Sequence, residues 1–126
     1  MFGGLSPAAA VLDLVRIVRM VPAIEVMRRR ASLSSAVHGA RALGARRIAR
    51  SPAGRAALKR LIAAIDRRLP GGGNCLRRSL IEMALDGGAA REPLFAGFRT
   101  GGGPKSGHAW LESDPSGGSY DAVISI

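Results

Sequence analysis

Gly73-Asn74-Cys75-Leu76-Arg77-Arg78-Ser79-Leu80-Ile81-Glu82-Met83-Ala84-Leu85-Asp86 carries the single cysteine of the chain and marks a change in the character of the sequence. Asn74 is a good N-cap, so Cys75 falls in the first turn of a helix running to about Asp86, where Gly87 or Gly88 can end it. Leu76, Leu80, Met83 and Ala84 recur at helical spacing and form its apolar stripe. A first-turn thiol faces unpaired backbone N–H groups and the positive end of the helix dipole. Both favour thiolate over thiol. The same N–H groups suit an oxyanion formed by attack on an amide carbonyl. The blander reading is that a lone cysteine is usually a small buried hydrophobe, so the chemistry must be decided by residues further on.

The chain on either side of this segment is of two kinds. Of 126 residues, 47% are hydrophobic and 4% aromatic, with a formal net charge of +10. That composition excludes disorder and predicts one domain, 1–126, with a core of Ala, Leu, Ile and Val. One cysteine excludes an intramolecular disulfide and a multi-cysteine zinc site, and two histidines leave few routes to a transition-metal centre. Residues 1–74 hold 14 basic and 3 acidic residues, whereas residues 75–126 hold 5 and 6. Glycine runs the other way, with 5 before residue 71 and 12 from there on. A basic helical region over 1–70 is therefore expected ahead of a glycine-punctuated region over 71–126 that holds one helix and then strands.

In the basic region, Ser6 and Pro7 open a first helix, and Pro22 is expected to break it. Its stripe of Val11, Leu14, Val15 and Val18 is expected to face the core, a peripheral membrane contact being the weaker alternative. No apolar run approaches the roughly 18 residues needed to span a bilayer, and no charges precede the apolar stretch as in a secretory signal. Residues 34–50 and 52–69 read as two more helices. In the second of these, Ala57, Leu58, Leu61, Ile62 and Ile65 form a clean apolar face. A basic helical surface is an electrostatic footprint for nucleic acid, but Phe2 is the only aromatic in this half, which removes a base-stacking platform. Arg77 and Arg78 are placed where they could meet substrate carboxylates, but solvated arginines are the default expectation. His38 reads as a surface histidine.

Downstream, residues 94–99, 107–112 and 119–124 read as strands, separated by a glycine-rich loop and a turn. A thiolate nucleophile needs a base, and the base needs an orienting acceptor. His108 opens the second strand. Three acids follow it. At about 3.3 Å per residue, Glu112 lies roughly 13 Å away and Asp114 roughly 20 Å away. If the second and third strands form a hairpin over Ser113-Asp114-Pro115-Ser116, His108 stands directly opposite Asp121, with Cβ atoms about 5 Å apart. That register puts Ala109 and Leu111 on one face with Tyr120, Ala122 and Ile124, a sensible core. Trp110 shares the face of His108, and Ser79 lies one turn beyond Cys75.

Cys75-Leu76-Arg77-Arg78-Ser79-Leu80, the strand Leu94–Arg99, His108-Ala109-Trp110-Leu111-Glu112 and Asp121 together resemble the leader peptidases of lasso-peptide biosynthesis, a transglutaminase-like, papain-like family. The resemblance covers about Gly73 to Ile126; the basic half is similar only in being helical. One departure is Gly101-Gly102-Gly103-Pro104-Lys105-Ser106-Gly107, where family members carry an aromatic or aliphatic residue shortly before the histidine.

The resemblance implies an α+β fold, in which the helical N-terminal half packs with a core made of a cysteine-bearing helix and a small antiparallel sheet. It implies Cys75 as nucleophile, His108 as base and then acid, and Asp121 as the residue that orients His108. Asn74, Ser79 and Trp110 are candidates for the substrate pocket. No metal, nucleotide or organic cofactor is implied. The implied substrate is a ribosomally made precursor peptide cut at its leader–core junction in the cytoplasm. The implied partners are a separate winged-helix leader-recognition protein and the lasso cyclase. The apolar face at Val11 to Val18, rimmed by Arg28-Arg29-Arg30, is the candidate docking surface for the recognition protein. Two other classes fit the same residues: transglutaminase-like acyl transfer to an amine, and a non-catalytic basic helical binding protein. Rapid alkylation of Cys75 would separate the enzymes from the binding protein.

Overall fold

The computed structural model describes residues 6–99, 107–115 and 118–126. The first helix, α1 (Pro7–Arg30), begins as expected: Pro7 is at its first position and the Ser6 hydroxyl accepts from the Ala9 N–H at 3.2 Å. It does not break at Pro22. The proline ring removes one N–H, but Pro22 and Val18 both lie on the solvent side, so water can satisfy the Val18 carbonyl while Ile17 and Ile24 hold the helix from within.

The expected core stripe of α1 is also overturned. Val11, Leu14, Val15 and Val18 are 42–59% exposed, and the buried residues are Asp13, Ile17 and Ile24. Apolar residues surround this helix, so their spacing permits more than one inward face. The choice is fixed by Asp13, whose carboxylate accepts from Arg50 at 2.7 and 2.8 Å and from Arg16 at 3.3 Å.

Two further helices follow, each with a serine cap: α2 (Leu33–Gly44) after Ser32 and α3 (Pro52–Arg68) after Ser51. The expected helix over 34–50 stops at Gly44. A Cβ there would sit 1.7 Å from the carbonyl oxygen of Met83, so glycine is what lets α2 approach its neighbour. On α3, Ala57, Leu58 and Ile62 are buried as expected, and Asp66 is buried with them. His38 is exposed.

The neighbour is α4 (Cys75–Leu85), which α1, α2 and α3 surround and which β2 (Gly107–Leu111) touches from the sheet side. Being enclosed, it buries Arg77, Ser79 and Glu82 as well as Leu80, Ile81, Met83, Ala84 and Leu85. It ends at Leu85. Instead of simply terminating it, Gly87 and Gly88 enter a single turn, α5 (Gly87–Ala90), capped by Asp86 through the Gly88 N–H at 3.0 Å.

The sheet is antiparallel with the order β2, β1 (Leu94–Phe98), β3 (Ala122–Ser125). The expected hairpin of β2 with β3 is therefore absent. Gly97 pairs with His108 on one side and with Val123 on the other. The reason lies at the outer edge of β2, which faces the N-terminus of α4: the Ala109 N–H donates to Cys75 Sγ at 3.3 Å. With that edge occupied, β3 takes the free edge of β1, where Leu94 and Ile126 exchange hydrogen bonds at 3.1 and 2.8 Å and Arg41 donates to the Ile126 carbonyl at 2.5 Å. Ala109 and Leu111 are buried beneath the sheet, but Ile124 on the same face is 46% exposed, because α4 lies under β2 and not under β3. Tyr120, expected on that face, instead lays its ring on the side of His108.

Candidate active site

The site starts from a buried ion pair. Asp66, in the last turn of α3, is fully buried, and Arg77, in the first turns of α4, is 1% exposed. Arg77 Nε and Nη2 reach Asp66 Oδ1 at 2.6 and 2.5 Å. The other Asp66 oxygen accepts from the N–H groups of Gly73 and Asn74 at 2.9 and 3.1 Å. Arg77 also donates to the carbonyls of Asp66, Pro70 and Gly71 and reaches Glu25 at 3.4 Å. This pair fixes the loop ahead of Cys75, where Gly71 and Gly73 take φ of 71° and 83° that other residues avoid. The solvated Arg77 expected from sequence is thus wrong. Its partner could have been noticed: Asp66 is the only acid between Glu25 and Glu82, and it sits at a helix C-terminus where a carboxylate is unfavourable without a cation.

Asn74 then acts as the N-cap, its Oδ1 accepting from the Arg77 N–H at 2.9 Å. Asn74 is not among the residues that line the cavity beside Cys75. Cys75 follows at the first helical position, half-buried and free. Its sulfur accepts the Ala109 N–H, an arrangement that suits negative charge on sulfur and ties the nucleophile candidate to the strand of His108.

On that strand the His108 ring groups with two near-parallel rings, Trp110 at 5.6 Å between centroids and Tyr120 at 6.2 Å, which themselves stack at 5.3 Å. The stack needs Gly97 beneath it. A Cβ there would fall 2.6 Å from the Tyr120 ring and 3.0 Å from that of Trp110. Burial, then the positive charges of Arg78 and Arg99, push the His108 pKa below its ordinary value of 6.5. The imidazole is consequently neutral, and able to accept a proton, over a wider pH range than a free histidine.

Cys75 and His108 line one cavity of about 290 Å³ with Arg78, Ser79 and Trp110. Of the residues singled out from the sequence for a pocket, Ser79 and Trp110 line this cavity. At the other end of the cavity, Lys59 Nζ donates to Glu82 at 3.1 Å and to Asp114 at 2.5 Å. Asp114 reaches this end of the cavity because the chain turns after β2, with the Asp114 N–H on the Leu111 carbonyl. Behind it, Arg55 binds Glu82 at 2.7 Å and also pairs with Glu92. Burial raises the Glu82 pKa despite these cations. The network of Lys59, Glu82, Arg55 and Glu92 was not foreseen; the charges lie on three separate segments, and only the fold gathers them.

Asp121 lies just before β3, its N–H on the Phe98 carbonyl at 2.9 Å. The pairing of Phe98 with Ala122 puts Asp121 on the His108 face of the sheet, but with β1 between them. The residue facing His108 across β1 is Val123. The glycine-rich loop at 101–106 lies outside the described residues. Among the described residues, no three His, Cys, Asp or Glu side chains gather into a site for a metal ion, and no helix is long and apolar enough to cross a membrane.

A family model described as the transglutaminase-like superfamily matches residues 11–120. No curated protein and no solved structure matches the chain. The family match reaches well beyond the Gly73–Ile126 segment expected from the motifs: it takes in most of α1 and all of α2 and α3, the helices that enclose α4. It includes Cys75 and His108 and stops one residue before Asp121. On this match the chain belongs to the transglutaminase-like superfamily, in a domain family associated with lasso-peptide biosynthesis proteins.

Proposed function

We propose that the protein is a cysteine peptidase that removes the leader from a lasso-peptide precursor. The observation that carries this reading is the single cavity holding Cys75, at the start of α4 with its sulfur on the Ala109 N–H, and His108, the residue before that N–H. His108 takes the thiol proton and the sulfur attacks the carbonyl at the leader–core junction. The C–N bond breaks, the core amine leaves with the proton from His108, and a thioester remains. His108 then removes a proton from water, which releases the leader as a carboxylate and restores the thiol. Asp121 is assigned as the residue orienting His108, on the motif resemblance and on the sheet face the two share across the bare Gly97. None of these steps requires a cofactor.

The partner in this reading is a separate winged-helix leader-recognition protein that delivers the precursor, passing the product to the cyclase. Tethering leader and enzyme to one protein makes cleavage effectively intramolecular, at local concentrations on the order of millimolar for short tethers. The exposed side chains of Val11, Leu14, Val15 and Val18 give it an apolar docking face.

The test is cleavage of precursor, in the presence of the recognition protein, by the wild type and by Cys75→Ala and Cys75→Ser. Both variants are expected to lose cleavage by at least about a thousandfold while keeping the helical circular dichroism and melting temperature of the wild type. Substantial cleavage by the folded alanine variant would overturn the cysteine mechanism.

A further inference from the structure

The cavity at Cys75 is electrically lopsided. At its far end Lys59 is neutralised by two hydrogen-bonded carboxylates, Glu82 and Asp114. On the Cys75 side stands Arg78, one turn further along α4. Among the described residues, the carboxylate within ion-pair reach of Arg78 is that of Asp66, at 3.8 Å and without a hydrogen bond. Asp66 is already committed to Arg77, Gly73 and Asn74. It orients the Arg78 guanidinium without discharging it. The Arg78 side chain is 39% exposed and lines the cavity with Cys75 and His108. Residues three apart on a helix have Cβ atoms about 5–6 Å apart, so the guanidinium can reach a group bound at the sulfur.

We propose that Arg78 makes the Cys75 end of the cavity a carboxylate-binding subsite, so that the favoured substrate carries an acidic side chain next to the carbonyl that Cys75 attacks. The inference rests on Cys75 being the nucleophile. A guanidinium with unoccupied donors offers two parallel N–H groups to a carboxylate, in a fork that an ammonium lacks. At the other end of the cavity, Lys59 already holds two carboxylates, so acidic groups are drawn toward Arg78. Lowered basicity of His108, caused partly by Arg78, accords with positive potential at the reacting atoms. A bound carboxylate would offset that potential and make His108 a stronger base once substrate is in place.

The experiment uses the full chain and two small reagents, iodoacetate and iodoacetamide, which differ in one negative charge. The ratio of their alkylation rates at Cys75 is independent of how much of the thiol is ionised, since both react with the same thiolate. The expected ratio is about tenfold higher than for glutathione at low salt, shrinking as salt is raised. Arg78→Ala should lower it several-fold toward the glutathione value, Arg78→Glu should lower it further, and Arg78→Lys should retain part of it. An unchanged ratio in Arg78→Ala would overturn the subsite. The absolute rate with iodoacetamide speaks separately to the nucleophile: sluggish alkylation of the wild type counts against Cys75 in that role, whatever the ratio. Two protectants then locate the carboxylate. Protection by N-acetylaspartate α-amide supports an acidic side chain, whereas protection by N-acetylglycine alone would overturn that assignment in favour of a chain-terminal carboxylate.

Discussion

The two helices α1 and α4 invert the usual relation between hydropathy and burial. The first leaves Val11, Leu14, Val15 and Val18 in solvent; the second buries Arg77 and Glu82. The difference is one of surroundings. Because α4 has α1, α2 and α3 around it and β2 on the sheet side, even its polar positions are enclosed, and each buried charge is paired. At the edge, α1 has neighbours on one face only, and Asp13 with Arg50 selects which face that is. Enclosure, not side-chain type, decides burial in the element that carries the chemistry.

Three substitutions test that contrast, beginning with the largest effect. Replacing Arg77 with Met leaves the buried Asp66 charge with only the longer 3.8 Å contact to Arg78 as an ion pair and frees the loop before Cys75, which should cost about 3–5 kcal/mol in urea unfolding. A loss below 1 kcal/mol would mean that the pair is dispensable. Within α1, Ile17→Ala should cost about 2–4 kcal/mol, since Ile17 is fully buried, whereas Val15→Asp should stay within about 0.5 kcal/mol. Equal costs at the two positions would show that the exposed stripe of α1 is covered by the chain itself. In a cleavage assay containing the recognition protein, Val15→Asp is expected to lower the rate although the fold is unaffected.

Local signals in the sequence were read correctly wherever the local rule had no competitor. Ser6-Pro7, Ser51-Pro52 and Asn74-Cys75 each open a helix where capping chemistry places one. Ala109 and Leu111 point into the core as their alternation requires. Strand order was not legible, because the alternation in 119–124 fits either edge of its neighbours, and the deciding fact is a non-local one: α4 occupies the outer edge of β2. The same holds for the site. His108 and Cys75 were paired by motif and chemistry, whereas the surroundings that hold them, Asp66 against Arg77 and Lys59 against Glu82 and Asp114, join segments whose charges read individually as solvent-facing.

Stacking of Trp110 on His108 has an optical consequence. The chain contains one tryptophan, so its indole emission arises wholly at the wall of the cavity, 5.6 Å from the imidazole. A protonated imidazole quenches a neighbouring indole, and a neutral one does so weakly. Emission should therefore fall as the solution is acidified, with a midpoint below 6.5, because burial and the charges of Arg78 and Arg99 oppose the imidazolium. The midpoint should move upward in Arg78→Ala and vanish in His108→Gln. Native emission thus makes the proton at the heart of the site directly visible, without substrate, partner or label.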